Sequence, residues 1–206
     1  MKTQVLSTKT SEYSNCTIHT FSAIEQVPEA HWNCVLQGKN IYFSIPYLTA
    51  LERGMKNEMS FYFSISYNSN NKPVLIAVFV LVKFVDKRRR FGDSVFKLRF
   101  PFKKKLENIL SINALACGNV FSAGENGMLW TDDLDSRAAF VEMEKVNKQI
   151  IVDHKLKDIV SLNVFKDFWP DTVSAGNALI EKGYFDFKID VNMVLNIHNE
   201  WNTMQD

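Results

Sequence analysis

SINALACGNVFSAGENG, Ser111 to Gly127, is the stretch on which the fold turns. Its first seven residues form an apolar run that reads as a buried strand ending at Cys117. Three of the chain's eight glycines, Gly118, Gly124 and Gly127, then fall within the eleven residues from Cys117 to Gly127. The clearest helical pattern in the chain follows, from Asp132 to about Lys155. Ala139, Met143, Val146 and Ile150 recur at helical spacing and line one face. Asp132, Asp133 and Asp135 lie near its start, and Lys145, Lys148 and Lys155 lie later, as a helix dipole favours. Ile159 to Val164 reads as a further strand. A strand, crossover helix and strand of this length predict parallel neighbours in one sheet. The glycines need one of two explanations: a small ligand lying against the backbone, or a tight structural turn.

Upstream, Thr17 to Phe21 alternates as a first strand. Pro28 to Gln37 reads as a helix, with Pro28 suited to its first position and Gly38 just past its end. In FSIPYLTALERG, Ser44 is placed to cap, Pro46 sits in the first turn, Tyr47, Leu48 and Leu51 share a face, and Gly54 closes the helix. Met59 to Tyr67 is an aromatic, alternating strand, and Asn68 to Asn71 is a turn. Pro73 to Val85 is almost unbroken Val, Leu, Ile and Phe, the mark of a strand buried on both faces. Asp86 to Asp93 reads as a charged loop, and Val95 to Leu110 as a helix from about Phe102. Downstream, Pro170 to Lys182 reads as a helix closed by Gly183, and Val191 to Ile197 as a last alternating strand. The order predicts an α/β (α+β) layered domain with a mixed sheet. No linker divides residues 1–206, and residues 1–15 are expected to be flexible.

Composition narrows the function. The 206 residues are 46% hydrophobic, enough for one sizeable core. Basic and acidic side chains number 24 and 23, so global charge predicts no nucleic-acid or membrane partner. Cys16, Cys34 and Cys117 are scattered, with no CxxC pair, so neither a zinc site nor a disulfide framework is indicated. The histidines show no HxxxH or HxH spacing, so no metal is expected. The polar N-terminus lacks the apolar segment of a signal peptide. The longest apolar run falls short of the roughly 20 residues that span a bilayer. These features predict a cytoplasmic protein with reduced thiols.

The element order resembles that of the GNAT (Gcn5-related N-acetyltransferase) superfamily along nearly the whole chain. FSIPYLTALE, with Phe43, Ser44, Tyr47, Leu48, Leu51 and Glu52, is similar to the early helix of its Fem-type, peptidoglycan-related branch. The strand, Gly-Asn pair and glycine loop from Leu115 to Gly127 resemble the same branch. The resemblance implies a single GNAT-like acyl-CoA N-acyltransferase lobe, the amino-terminal one of two. It implies that residues 199–206 begin a second lobe that is missing or absent, and that this second lobe is a partner. It implies transfer of an acyl or aminoacyl group to a small-molecule amine, and strands that splay at their C-terminal ends around acyl-CoA. It further implies that Gly118, Asn119, Gly124 and Gly127 cradle the cofactor's pyrophosphate at a helix N-terminus. The family's compact pattern, Arg or Gln followed by closely spaced glycines, is not present here. Glu125, Asp132, Asp133 and Asp135 would also repel a phosphate.

Other residues are open to two readings. Lys87 to Arg90 and Lys103 to Lys105 are either a tRNA-binding patch or solvated surface. Phe91, Phe96, Phe100 and Phe102 either stack on bases or anchor that segment to the core. Cys117 is either a reactive thiol or a buried small hydrophobe. No nucleophile motif is present, and the catalytic residues are unknown. Three functions remain: the transferase lobe, inactive alone; a non-catalytic binding or scaffold domain; and a basic-patch tRNA binder. A charged cleft between the strands ending at Cys117 and Val164 favours the first, and an apolar, filled junction favours the second.

Overall fold

A computed structural model describes residues 16–85, 111–121, 127–168 and 172–186. Its elements in chain order are β1 (Thr17–Phe21), α1 (Glu29–Leu36), α2 (Ile45–Met55), β2 (Met59–Tyr67), β3 (Pro73–Val85), β4 (Ser111–Cys117), β5 (Met128–Trp130), α3 (Ser136–Asp153), β6 (Leu162–Phe165) and α4 (Val173–Ile180). Short 3₁₀ turns at Ile24–Gln26 and Ile41–Phe43 precede the first two helices. Among the described residues the strands form one mixed sheet in the order β1-β2-β3-β4-β6, with β5 also on β3. β4 and β6 are parallel, Ala114 opposite Leu162 and Cys117 opposite Phe165, and the other pairs are antiparallel. The mixed α/β sheet with one parallel pair agrees with the layered domain expected from the sequence.

The alternation along β2 separates two cores. Phe61, Phe63, Ile65 and Tyr67 belong to the cluster that holds Trp32, Val35 and Leu36 of α1 and Leu48 of α2. Tyr62 belongs to the opposite cluster, with Ala139, Phe140, Met143, Val146 and Ile150 of α3 and Ala178 and Leu179 of α4. β3 lies between the two layers. Leu75, Ala77 and Phe79 face one cluster, and Ile76, Val78 and Val80 face the other. That position requires apolar side chains on both faces and explains the unbroken run. Trp32 is fully buried, and its indole N–H is satisfied by the Phe43 carbonyl at 2.8 Å.

Several boundaries differ from the sequence reading, each for a local reason. α3 starts at Ser136, because the Asp135 side chain accepts from the Ala138 N–H at 2.7 Å and caps the helix. Asp132 and Asp133 precede it in a turn, and Asp133 pairs with Lys72 at 2.6 Å. α2 runs through Gly54 to Met55, and Ser44 makes no side-chain cap bond. Pro28 is the residue before α1, and Gln37 and Gly38 both turn left-handed at its end. Ile159 and Val160 fold back on the Leu156 carbonyl, so β6 starts later, at Leu162. α4 is shorter than its sequence pattern, and Gly183 closes the turn after it at φ 92°. β5 is an addition: three residues are too few to show a period.

The charged loop at Asp86–Asp93, the helix from Phe102, the two basic runs, Gly124, Glu125, the strand at Val191–Ile197 and the tail at 199–206 lie outside the described residues. Among those described, no helix is long and apolar enough to cross a membrane.

Candidate functional site

The glycines at 118 and 127 mark a division in the sheet. One edge of β3 pairs with β5 over Leu75–Ala77 and with β4 over Phe79–Val85. Val78 lies between these ladders. Its N–H donates to the Gly127 carbonyl at 2.9 Å, and its carbonyl accepts from the Gly118 N–H at 3.0 Å. The chain leaves the sheet at Gly118 and rejoins it at Gly127. Gly118 has φ 119°, a conformation costly for any other residue. A Cβ on Gly127 would stand 2.7 Å from Cys117 Sγ and 3.1 Å from the Cys117 carbonyl carbon and oxygen. Backbone conformation at Gly118 and close packing at Gly127 each account for a glycine there.

Beneath them, β4 and β6 stay paired to their last residues, Cys117 and Phe165, so the splay implied by the resemblance is not found there. The crevice is lined by Cys117, Gly127, Met128, Phe140, Met143, Phe165, Lys166 and Phe168. It holds about 20 Å³, near the space of one water molecule. Phe79 and Phe165 meet edge to face at 6.3 Å, and Phe140 and Phe168 lie 5.3 Å apart. Cys117 contacts Met143, sulfur to sulfur, at 3.4 Å. Burial pushes its thiol far above the ordinary range. It packs as a small hydrophobe, and a buried neutral thiol is a poor nucleophile. The Asp135 carboxylate caps the N-terminus of α3.

The polar chemistry lies one step further along the chain. Asn119 is 5% exposed. Its Nδ2 donates to the Tyr47 hydroxyl oxygen at 2.5 Å, and its Oδ1 accepts from the Phe121 N–H at 2.9 Å. Its backbone carbonyl accepts from the Lys166 ammonium at 3.2 Å, and that ammonium also pairs with Asp167. Asp167 itself is left-handed, at φ 62°. Tyr47 packs edge to face on Tyr42 at 5.4 Å. The two stretches that carry the family resemblance, 72 residues apart, thus meet at one hydrogen bond.

Of the residues the sequence analysis singles out, Gly118, Asn119 and Gly127 lie at one junction, and Gly124 lies outside the described residues. Sequence reading missed Lys166 and Asp167, which belong to no motif, and the partnership of Tyr47 with Asn119. It also missed two carboxylates on α3. Glu142 and Glu144 are each 2% exposed and are paired with Lys145 at 3.2 Å and Lys148 at 2.6 Å. The described histidines stay apart from the junction: His31 Nδ1 lies 2.9 Å from the Tyr67 hydroxyl, His19 lies against the same ring, and His154 packs at a tilt against Tyr62. Among the described residues no three His, Cys, Asp or Glu side chains group to hold a metal.

No family model matches the chain, and no curated protein matches it. Solved structures do. A mutant of the BH1408 protein from Bacillus halodurans aligns over 87% of this chain and 99% of its own, with 11% identity and a TM-score of 0.45. The aminoglycoside N-acetyltransferase AAC(6')-Iy, in complex with CoA, aligns over 89% and 96%, with 6% identity and a TM-score of 0.46. At that level of likeness the fold rests on the strand order and the parallel β4–β6 pair.

Proposed function

We propose that this chain is a non-catalytic GNAT-like lobe, a binding or scaffold unit that does not itself hold an acyl-CoA donor. One observation carries the reading: the crevice between the ends of β4 and β6, the donor's place in the family the sequence resembles, is paired through Cys117 and Phe165 and packed with apolar side chains. The pantetheine arm of CoA needs a gap between these strands, and about 20 Å³ does not admit it. Calorimetry with acetyl-CoA tests this. No heat of binding is expected, and low-micromolar affinity, about −8 kcal/mol, overturns the reading.

A second reading keeps the lobe in a transferase. In a Fem-type pair the amino-terminal lobe shapes the acceptor side, and a second lobe holds the acyl or aminoacyl donor. The Tyr47–Asn119–Lys166 corner supports it, because it joins the two stretches similar to that branch beside the strand ends. The 206-residue chain alone is then inactive on a panel of amines with acetyl-CoA. Activity that appears only with a second lobe supplied selects this reading over the first, and turnover by the chain alone removes both.

A further inference from the structure

The Asn119 corner fixes the direction of one proton. A backbone N–H only donates, so the bond from Phe121 N identifies the Asn119 atom it reaches as Oδ1. The Nδ2 group therefore faces Tyr47, 2.5 Å from the phenol oxygen. An amide NH₂ has only hydrogens to offer, so the Tyr47 oxygen accepts, and its own O–H points away from Asn119. Among the described residues that O–H meets no acceptor. Accepting from Nδ2 also polarises the phenol and makes its O–H a stronger donor.

The surroundings suit a ligand. Tyr47 is half-buried and held by Tyr42 at an interplanar angle of 79°. Tyr42, whose ring packs on it, is 37% exposed. The Lys166 ammonium donates to the carbonyl of Asn119, the residue that donates to Tyr47. We propose that the Tyr47 hydroxyl, beside the exposed Tyr42 ring, is a binding site for a ligand oxygen carried by a carbonyl or carboxylate group. The site lies beyond the packed crevice and needs no acyl-CoA, so it stands whichever reading of the lobe holds.

Titrating the ¹⁵N-labelled chain with N-methylacetamide and, separately, with sodium acetate tests the proposal through the backbone amides of Asn119 and Phe121. A saturable shift is expected with at least one probe, with a dissociation constant on the order of 10 mM. A response to the amide alone identifies a carbonyl ligand, and a response to acetate alone identifies a carboxylate. Tyr47→Phe removes the donor and keeps the ring. Asn119→Asp keeps the acceptor for Phe121 N–H but presents a second oxygen to Tyr47, which turns the hydroxyl proton inward. Both variants are expected to weaken binding at least about tenfold. A wild-type chain silent to both probes overturns the site. Undiminished binding in an Asn119→Asp variant whose amide spectrum shows it folded overturns the role of the outward proton.

Discussion

Cys117 and Asn119 stand two residues apart at the end of β4 and occupy opposite chemical worlds. Cys117 closes an apolar junction in which sulfur, ring and methionine side chains leave about 20 Å³. Asn119 anchors a corner in which nearly every polar atom has an assigned partner. Between them Gly118 turns the chain out of the sheet. The first place leaves a space near that of one water molecule, lined mostly by apolar side chains. At the second, hydrogen-bond direction has been fixed in advance, and that preorganisation is what a binding site requires.

The strongest test of the contrast is thiol accessibility. Cys34 is exposed on α1 and Cys117 is buried. Under native conditions iodoacetamide is expected to modify Cys34 at an ordinary rate. Cys117 should react only through opening of the structure, slower by a factor on the order of a thousand or more. Peptide mass spectrometry reads both rates, and comparable labelling would mean that the junction is open.

Phe140→Ala is next in size. Phe140 is 1% exposed and touches Trp130 and Phe168. Its truncation is expected to cost about 3–5 kcal/mol in urea unfolding. A loss below about 1 kcal/mol would show loose packing there. Gly127→Ala should cost less, about 1–3 kcal/mol, since the new methyl must displace Cys117 Sγ and crowd its carbonyl. An unchanged midpoint would mean that the loop yields freely.

The smallest effect is a pH dependence away from both places. Burial holds the His154 imidazole below its ordinary value, only partly opposed by Asp153. The folded state resists protonation there more than the unfolded chain does. Stability is therefore fully present above the ordinary histidine range and declines as pH falls through it. His154→Gln should flatten that part of the pH–stability curve. A curve unchanged by the substitution would remove His154 as its source.

Local chemistry in the sequence determined a good deal. The bounds of β1, β2, β3 and β4 follow from β-branched and aromatic runs ended by turn residues, and the parallel β4–β6 pair follows from a crossover of fixed handedness. The helix dipole pattern located α3, although the cap at Asp135 shortened it. Glycines at 118 and 127 were legible as points of backbone freedom, and the sequence left open whether a ligand or a turn needed them. Only the tertiary structure supplied a backbone reason for Gly118 and Gly127, in Val78, which bonds to both from a strand 40 or more residues earlier in the chain. It alone joined Tyr47 to Asn119 and set Lys166 beside them, since a hydrogen bond between distant side chains leaves no period or spacing in the chain. It alone closed the crevice: whether apolar residues at strand ends fill a gap or frame one depends on their packing, and composition carries no record of that.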